Sequence, residues 1–324
     1  MSSPAYETIT LSTVHPFLKC NETAVESCSK VVSYSHDTGK GPVLLLIHGY
    51  PQSAFIWRHV ALLLKDRISL FIPEIPGYGI SSRPKEDISF ATMGEPIVHA
   101  FMKLFPGRDI IFGGHDRGAR ICHRLAVENA HWPDAPKIKL IGCVLLDIVP
   151  TLLQWKVFAN SKAAVGYFHW PFLATPLAVP MIEAFGGGRL CHFGLDRIGG
   201  SNPEARAKFQ SNSAWNVYES LFDTHEAIEG SAADYNAGAM IEPDLQVEDQ
   251  KAGRRIEVPT LVAWSRKGLG SMHGDVGEMW KDWVKPGVGL MAISCGDDVG
   301  HYLPEEASEL ISSKIVEFLD MIKA

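Results

Sequence analysis

Residues 109–120 read DIIFGGHDRGAR, the stretch that is most informative about the fold. An apolar run leads into Gly114-x-Asp116-x-Gly118, and the residues that follow have the spacing of an amphipathic helix. Glycines two positions before and after Asp116 permit a sharp turn from strand to helix, because they place no side chain where the two elements meet. The pattern predicts that the Asp116 side chain projects from the tip of this turn.

A carboxylate at this position indicates nucleophilic chemistry at carbon. Aspartate is ionised near neutral pH, so it can displace a leaving group from an sp³ carbon and form an alkyl ester. That ester must then be hydrolysed by water with the help of a base. The alternative interpretation is that Asp116 only caps the N-terminus of the following helix.

Short apolar runs alternate with helix-length segments along most of the chain. We predict strands over 43–48, 69–72, 109–113, 139–146, 259–264 and 289–294, and helices over 54–65, 91–104, 117–129, 276–284 and 304–322. This alternation predicts an α/β fold with a mostly parallel, doubly wound sheet covered by helices. It breaks where aromatic residues, glycine and proline become frequent. We therefore predict a core domain of residues 1–151 and 241–324, with an inserted helical cap at 152–240.

The composition limits the partners and the compartment. A net charge of −7 over 324 residues argues against nucleic acid or an anionic membrane as the main partner. Six scattered cysteines without a CxxC pair, and an N-terminus without a basic and apolar leader, favour a cytoplasmic location. No HExxH, GxxxxGK[ST] or strand-linked GxGxxG motif is present, so we expect neither metal nor cofactor. The expected partner is a small-molecule substrate, and a homodimer is allowed for.

A second motif, LIHGYPQ at residues 46–52, follows the first strongly apolar strand. An HG-x-P loop in this place can direct backbone amides toward a developing oxyanion. The expected donors are the N–H groups of Tyr50 and Arg117. The alternative is an ordinary turn at the end of a strand.

A third motif, GHYLPEE at residues 300–306, lies between the last predicted strand and the last helix. Of the thirteen histidines, only His301 has this late position, and a neutral imidazole there can deprotonate the water that hydrolyses the ester. Asp147 directly ends an apolar strand, whereas Asp275 follows the next strand after a long loop. A carboxylate at a strand end is held more firmly, so we favour Asp147 over Asp275 as the orienting acid.

Arg117 and Arg120 lie in the first turn of the predicted helix, where a cation is unfavourable by up to about 1 kcal/mol because the helix N-terminus is partially positive. Their spacing of three places them on one face. One interpretation is that they pair with a nearby acid such as Glu128 or Asp147. The other is that they bind a substrate carboxylate, which offsets its repulsion of roughly 4 kcal/mol from Asp116 at about 4 Å.

Six motifs that occur in order along the chain resemble those of the fluoroacetate (haloacetate) dehalogenases: HGYPQ, GGHDRGAR, LLDIVPT, FHWPFLA, ADYNAGA and GHYLPEEA. The similarity extends from about residue 40 to the C-terminus. The resemblance implies an α/β-hydrolase fold with Asp116 as nucleophile, His301 as base and Asp147 as acid. It also implies that Arg117 and Arg120 bind the carboxylate of the substrate.

The same resemblance implies that His169, Trp170 and Tyr235 stabilise the departing halide. An imidazole N–H, an indole N–H and a phenol O–H can replace the water around a small, strongly hydrated fluoride. Taken without the resemblance, packing within the cap is the simpler interpretation of His169 and Trp170. The implied reaction converts a small 2-haloacid, through an aspartyl ester, into a 2-hydroxy acid and halide without a cofactor.

Departures from the family pattern concern the substrate more than the catalytic groups. Tyr50 stands where phenylalanine is expected, residues 152–154 (LLQ) replace an aromatic and basic lining, and residues 190–194 (LCHFG) lack an expected tryptophan. An epoxide hydrolase would use the same triad with Tyr235 and a second tyrosine, but such enzymes carry tryptophan where Arg117 stands. The chain could also be a biosynthetic hydrolase with this triad, or a ligand receptor that binds without turnover.

Overall fold

In the computed structural model, which describes residues 3–132 and 138–324, eight strands form one sheet in the order β1-β2-β4-β3-β5-β6-β7-β8. The strands are β1 (Lys19–Val25), β2 (Cys28–His36), β3 (Val43–Ile47), β4 (Ser69–Pro73), β5 (Ile110–His115), β6 (Leu140–Leu146), β7 (Thr260–Ser265) and β8 (Leu290–Cys295). β2 pairs antiparallel with β1 and β4, and all other pairs are parallel. The predicted α/β fold with a mostly parallel sheet is confirmed.

Helices cover the sheet and connect its strands. Before β6 the α-helices are α1 (Ala5–Thr8), α2 (Leu11–Val14), α3 (Arg58–Leu64), α4 (Phe90–Leu104) and α5 (Arg117–His131). Between β6 and β7 they are α6 (Thr151–Lys156), α7 (Ser161–Gly166), α8 (His169–Leu173), α9 (Ala178–Phe185), α10 (Gly187–Ile198), α11 (Pro203–Gln210), α12 (Ala214–Phe222), α13 (His225–Met240) and α14 (Glu242–Ala252). After β7 they are α15 (Leu269–His273), α16 (Val276–Trp280), α17 (Leu303–Glu306) and α18 (Ser308–Met321). Short 3₁₀ helices span Ala54–Trp57, Val157–Ala159 and Ser211–Ser213.

The central strands β3 to β7 are buried on both faces of the sheet, as their continuous apolar runs predict. In β3, Leu44 and Leu46 pack into the hydrophobic cluster on one face, whereas Val43, Leu45 and Ile47 pack into the cluster on the other. Successive side chains of a strand point to opposite faces, so a strand covered on both sides is apolar at every position. The core thereby fixes the carboxyl ends of the central strands, from which the site is built.

The segment between β6 and β7 consists of helices joined by short connections from Thr151 to Ala252, with no strand among its residues, all of which the structure describes. Its last helix, α14, is tied to α5 by a buried ion cluster. Arg124 bonds Glu242 at 2.9 Å and Asp249 at 2.9 Å. This segment includes the predicted cap at 152–240, and the domain division itself stays a prediction.

Candidate active site

Asp116 lies on the sharp turn between β5 and α5, with φ 48° and ψ −117°. A Cβ atom at Gly118 would lie 2.3 Å from the carbonyl oxygens of Ile47 and His48, and one at Gly114 would lie 2.5 Å from a backbone nitrogen of α5. Glycine is therefore required at both positions. The Asp116 side chain makes no capping hydrogen bond to α5, a helix that the structure describes in full, so the interpretation of Asp116 as a simple N-cap is wrong.

Backbone amides and positive charges surround the Asp116 carboxylate. The N–H of Tyr50 donates to its Oδ2 at 3.1 Å, and the Arg117 amide begins α5, where the first N–H groups lack helical acceptors. Burial alone would raise the pKa of Asp116, but the charges of His301, His115 and the arginines of α5 outweigh burial and lower it. Asp116 is thus held as an anion in a site that is almost closed to solvent.

His301 and Asp147 form a hydrogen-bonded pair beside this carboxylate. Nδ1 of His301 lies 2.6 Å from Oδ2 of Asp147, and its Nε2 lies 3.9 Å from Oδ1 of Asp116. Asp147 directly follows β6 and has φ 53°, and its Oδ1 accepts a hydrogen bond of 2.6 Å from the N–H of Ser265. Since Asp147 is an acceptor on both oxygens, it keeps the proton of the neutral imidazole on Nδ1 and leaves Nε2 free to act as a base.

The electrostatics of His301 follow from these contacts. Burial disfavours the imidazolium form, but the hydrogen bond and charge of Asp147, with the charge of Asp116, outweigh burial and raise the pKa of His301. Asp275 lies elsewhere and caps the N-terminus of α16. The geometry therefore places Asp147, and not Asp275, where an orienting acid is needed.

Arg117 is fully buried and bound to Asp234 of α13. Its Nε donates to Oδ2 of Asp234 at 2.7 Å and its Nη2 donates to Oδ1 at 2.7 Å. One of the two arginines thus does pair with an acid, as one interpretation has it, but the acid is Asp234 of a helix distant in sequence and neither Glu128 nor Asp147. Within the described ranges Nη1 of Arg117 has no hydrogen-bond partner, but it is sealed from solvent, and the guanidinium packs 4.3 Å from the centre of the Tyr235 ring.

Arg120 lines the cavity and differs from Arg117 in having no carboxylate bonded to it among the residues that the structure describes. Its Nη1 donates to the carbonyl of Val149 at 2.9 Å and to Oγ1 of Thr151 at 3.1 Å, and its Nε has no partner in the same part of the chain. The guanidinium packs 4.5 Å from the centre of the Trp170 ring. Burial and the charge of Arg117 lower the pKa of Arg120 to about 10, which an anionic ligand would reverse.

His169, Trp170 and Tyr235 come together on the cap side of the cavity. The ring centres of His169 and Trp170 lie 6.0 Å and 5.6 Å from that of Tyr235, which also packs edge-on against Tyr50 at 5.2 Å. Burial and the nearby Arg197 lower the pKa of His169 to about 3, so its imidazole is neutral. Nη2 of Arg197 lies 3.4 Å from Nδ1 of His169, which leaves Nε2 as the ring atom that carries the proton.

A cavity of about 550 Å³ joins these groups. It is lined by the predicted residues Tyr50, Asp116, Arg120, Asp147, His169, Trp170, Tyr235 and His301. Arg117 lies behind this wall. Sequence reasoning missed Arg197 of α10, because no motif marks it and its place depends on how the helices of the inserted segment pack.

The loop that carries His301 is bonded to the C-terminal end of α10. The His301 N–H donates to the carbonyl of Ile198 at 3.0 Å. Oε2 of Glu306 accepts from the N–H groups of Gly200 at 2.7 Å and Gly300 at 2.8 Å. The two glycines approach so closely that a Cβ at Gly300 would lie 2.2 Å from the Gly200 nitrogen. The loop that carries His301 therefore packs directly on the inserted helical segment.

Comparison with known proteins identifies the family. Residues 42–162 match the family model described as α/β hydrolase fold. Fluoroacetate dehalogenase from a Burkholderia species is 31% identical over 246 residues, which are 72% of this chain and 74% of that enzyme. The chain belongs to the α/β-hydrolase family. The resemblance to fluoroacetate dehalogenases that the motifs indicate is thereby confirmed.

Other relatives of this α/β-hydrolase are named for a different reaction. Soluble epoxide hydrolase from Corynebacterium sp. strain C12 is 22% identical over 292 residues, which cover 86% of this chain and 91% of that enzyme. A solved structure of a mutant candidate epoxide hydrolase from Pseudomonas aeruginosa with bound MFA is 28% identical, with a TM-score of 0.76 over 95% of this chain and 98% of its own. The comparisons therefore support a hydrolase but do not decide which bond it cleaves.

Two further findings concern metals and membranes. Among residues 3–132 and 138–324, no three His, Cys, Asp or Glu side chains are grouped as a metal site. No helix within those ranges is long and apolar enough to cross a membrane. The cytoplasmic location and the homodimer stay predictions.

Proposed function

We propose that this α/β-hydrolase cleaves the carbon–halogen bond of a small 2-haloacid of the haloacetate type, giving a 2-hydroxy acid and halide. The observation that carries the proposal is Arg120, a buried guanidinium without a bonded carboxylate among the described residues, in the same cavity as Asp116. Removing an unpaired charge from water costs several kcal/mol, and an anionic substrate would supply the missing partner. A carboxylate bound there brings its α-carbon within reach of the nucleophile.

The first step forms the ester. The substrate carboxylate binds the Arg120 guanidinium, which lines the cavity, and the charge of Arg117 behind the wall adds to the attraction. Oδ1 of Asp116 attacks the α-carbon, while Oδ2 is held by the Tyr50 amide. The carbon–halogen bond breaks, and the halide leaves with the electron pair toward the N–H and O–H donors of His169, Trp170 and Tyr235.

The second step hydrolyses the ester. Nε2 of His301 takes a proton from a water molecule, and the hydroxide adds to Cγ of Asp116. The amides of Tyr50 and Arg117 stabilise the oxyanion. The acyl C–O bond then breaks, the departing alkoxide takes the proton from His301, and Asp116 loses the remaining proton to solvent. The separation of 3.9 Å between Nε2 of His301 and Oδ1 of Asp116 leaves the base close enough to act on a water that approaches the ester.

Epoxide hydrolysis is the second candidate, because two phenols line the same cavity. Tyr167 and Tyr235 both face it, and neither hydroxyl is hydrogen-bonded to a residue in the described part of the chain. Two phenols can protonate the oxygen of an epoxide as the ring opens. A neutral epoxide, however, gives no reason for an unpaired Arg120, which is why we place the haloacid first.

The deciding experiment measures two reactions side by side. Halide release from fluoroacetate and chloroacetate is followed in parallel with diol formation from styrene oxide. Our proposal expects halide release that depends on Arg120 and Asp116, and little diol. Diol formation without halide release from any acid would reject it in favour of the second candidate.

The covalent step has its own test. In single-turnover reactions in heavy-oxygen water, the label should enter the Asp116 carboxylate, because water attacks the ester carbonyl and not the α-carbon. Asp116→Asn should abolish turnover with an unchanged melting temperature, and Asp66→Asn is the matched control at an exposed site. Label that enters the hydroxy acid directly, with none in the protein, would contradict the ester mechanism.

A further inference from the structure

The cavity is much larger than a haloacetate. Fluoroacetate has five non-hydrogen atoms, and if each takes no more than the share of one water molecule in the liquid, about 30 Å³, the molecule needs roughly 150 Å³. The cavity holds about 550 Å³. Most of its volume therefore lies beyond the groups that we assign to the carboxylate, the halide and the nucleophile.

The remaining wall is mainly apolar. We call this part the side chamber, and it is lined by Phe172, Leu173, Leu190, Phe193, Leu269 and Met272. Leu173 and Leu269 are buried, Phe172 and Leu190 are half-buried, and Phe193 and Met272 are exposed. These residues belong to three helices, α8, α10 and α15. An apolar wall with a few polar groups at one end is typical of a pocket that binds an apolar part of a ligand.

The rim of the chamber exposes large apolar side chains. Phe193 is 58% exposed and Phe168 is 48% exposed, and both line the cavity. Single exposed apolar residues need no explanation, but several around one opening mark a binding surface. An apolar group that enters the chamber would cover part of this surface.

The charged residues near the mouth are already engaged. Arg197 donates to the carbonyl of Gly166 at 2.8 Å and lies against His169. Lys267 has its Nζ 3.9 Å from a carboxylate oxygen of Asp297. Neither cation calls for a second acidic group on the substrate, so the chamber fits a neutral apolar substituent.

We infer that the preferred substrate is a 2-haloacid with an apolar ring on the carbon that bears the halogen. This inference rests on the proposed function. At that carbon, the carboxylate is directed to Arg120 and the halide to the His169 side, and Asp116 attacks from the face opposite the halide. The fourth substituent can be large only if it enters the side chamber. The aromatic residues of the chamber favour a ring, because edge-to-face contacts add to the apolar burial.

The first test uses binding without chemistry. Titration calorimetry compares phenylacetate with acetate, which carry no halogen and differ only in the ring. Burial of a ring the size of a phenylalanine side chain predicts that phenylacetate binds roughly 10- to 100-fold more tightly. Equal affinity for the two acids overturns the inference, even if chloroacetate is dehalogenated.

The second test measures turnover. Halide release from 2-chloro-2-phenylacetate is compared with release from chloroacetate, each divided by its rate without enzyme to remove the intrinsic effect of the ring. We expect kcat/KM to favour the phenyl acid by at least tenfold. Release from chloroacetate with no such preference overturns the inference and leaves the proposed function in place. No release from either acid overturns the proposed function, whatever the calorimetry gives.

Two variants locate the preference in the side chamber. Leu190→Trp fills part of the chamber, and Phe193→Ala removes a rim side chain that contributes little to the fold because it is exposed. Each should lower the ratio of kcat/KM for the phenyl acid to that for chloroacetate by about tenfold. The matched control is Leu177→Trp, at an exposed position of the inserted segment outside the cavity lining. If the ratio of the two kcat/KM values were the same in the control as in the two variants, the assignment of the preference to this chamber would be overturned.

Discussion

Replacement of Asp234 by alanine should destabilise the protein strongly, because it leaves the Arg117 guanidinium buried without its partner. Both side chains are completely buried, and two charge-assisted hydrogen bonds of 2.7 Å join them. Tyr78 also loses the acceptor for its hydroxyl, which lies 2.6 Å from Oδ2 of Asp234. Breaking a buried ion pair by removing one partner costs about 3–5 kcal/mol, and we expect Asp234→Ala to fall in this range.

Urea unfolding followed by circular dichroism measures this change in the free energy of unfolding. Arg117→Met in the Asp234→Ala background removes the stranded charge, so the double variant should be more stable than Asp234→Ala alone by about 1 kcal/mol or more. Asp66→Ala, at an exposed surface pair, is the control and should change stability by less than about 1 kcal/mol. A loss below about 1 kcal/mol for Asp234→Ala, or no recovery in the double variant, would refute the reasoning.

The other predictions follow from the triad, the turn and the His169 contact. His301→Asn should permit the first step and stop at the ester, so mass spectrometry should find an alkylated Asp116; its absence under single-turnover conditions would contradict the role of His301. Because the pKa of His301 is raised above 6.5 and the base must be neutral, the rate of ester hydrolysis should fall as the pH drops through that raised value, and a flat profile between pH 5 and 8 would exclude this base. Gly118→Ala should prevent folding to a soluble protein, since its Cβ would lie 2.3 Å from backbone oxygens, and normal expression and melting would show that the turn is not needed. Arg197→Met should raise the pKa of His169 from about 3, as measured by NMR titration, and change fluoride release more than chloride release; an unchanged titration would exclude the contact.

The sequence predicts the parts of the fold that local pattern determines. The six apolar strands lie within one or two residues of their predicted positions. Five of them, β3 to β7, are buried on both faces and are therefore apolar at nearly every residue, whereas β8 is half-buried and was recognised from its short apolar run. β1 and β2 were not predicted. β1 (KCNETAV) lies at the edge of the sheet and is mostly exposed or half-buried, so its polar residues hide the strand. An edge strand needs no continuous apolar run, and a polar one such as β1 is therefore harder to recognise than β8, the edge strand at the other side of the sheet.

The residues of the site also divide into those that the sequence predicts and those that it does not. Asp116, Asp147 and His301 each follow a predicted strand, and parallel strands bring their carboxyl ends to one edge of the sheet, so their meeting could be anticipated. The partner of Arg117 could not be anticipated. Asp234 lies in a helix of the inserted segment, and only the packing of that segment on the core brings it to α5. The contact of Arg197 with His169 depends on that packing as well.

The attachment of the base to the inserted segment constrains how this molecule can move. Lifting α10 away from the sheet would pull on the peptide of His301 and separate Gly200 from Gly300, so the His301 imidazole would be displaced at the same time. Under the proposed mechanism, a conformation opened in this way could not hydrolyse the ester. We therefore expect the acid to enter and the halide to leave through the opening of the cavity beside Phe168 and Phe193. Rotation of these side chains would open the route, while α10 and the loop that carries His301 keep their positions.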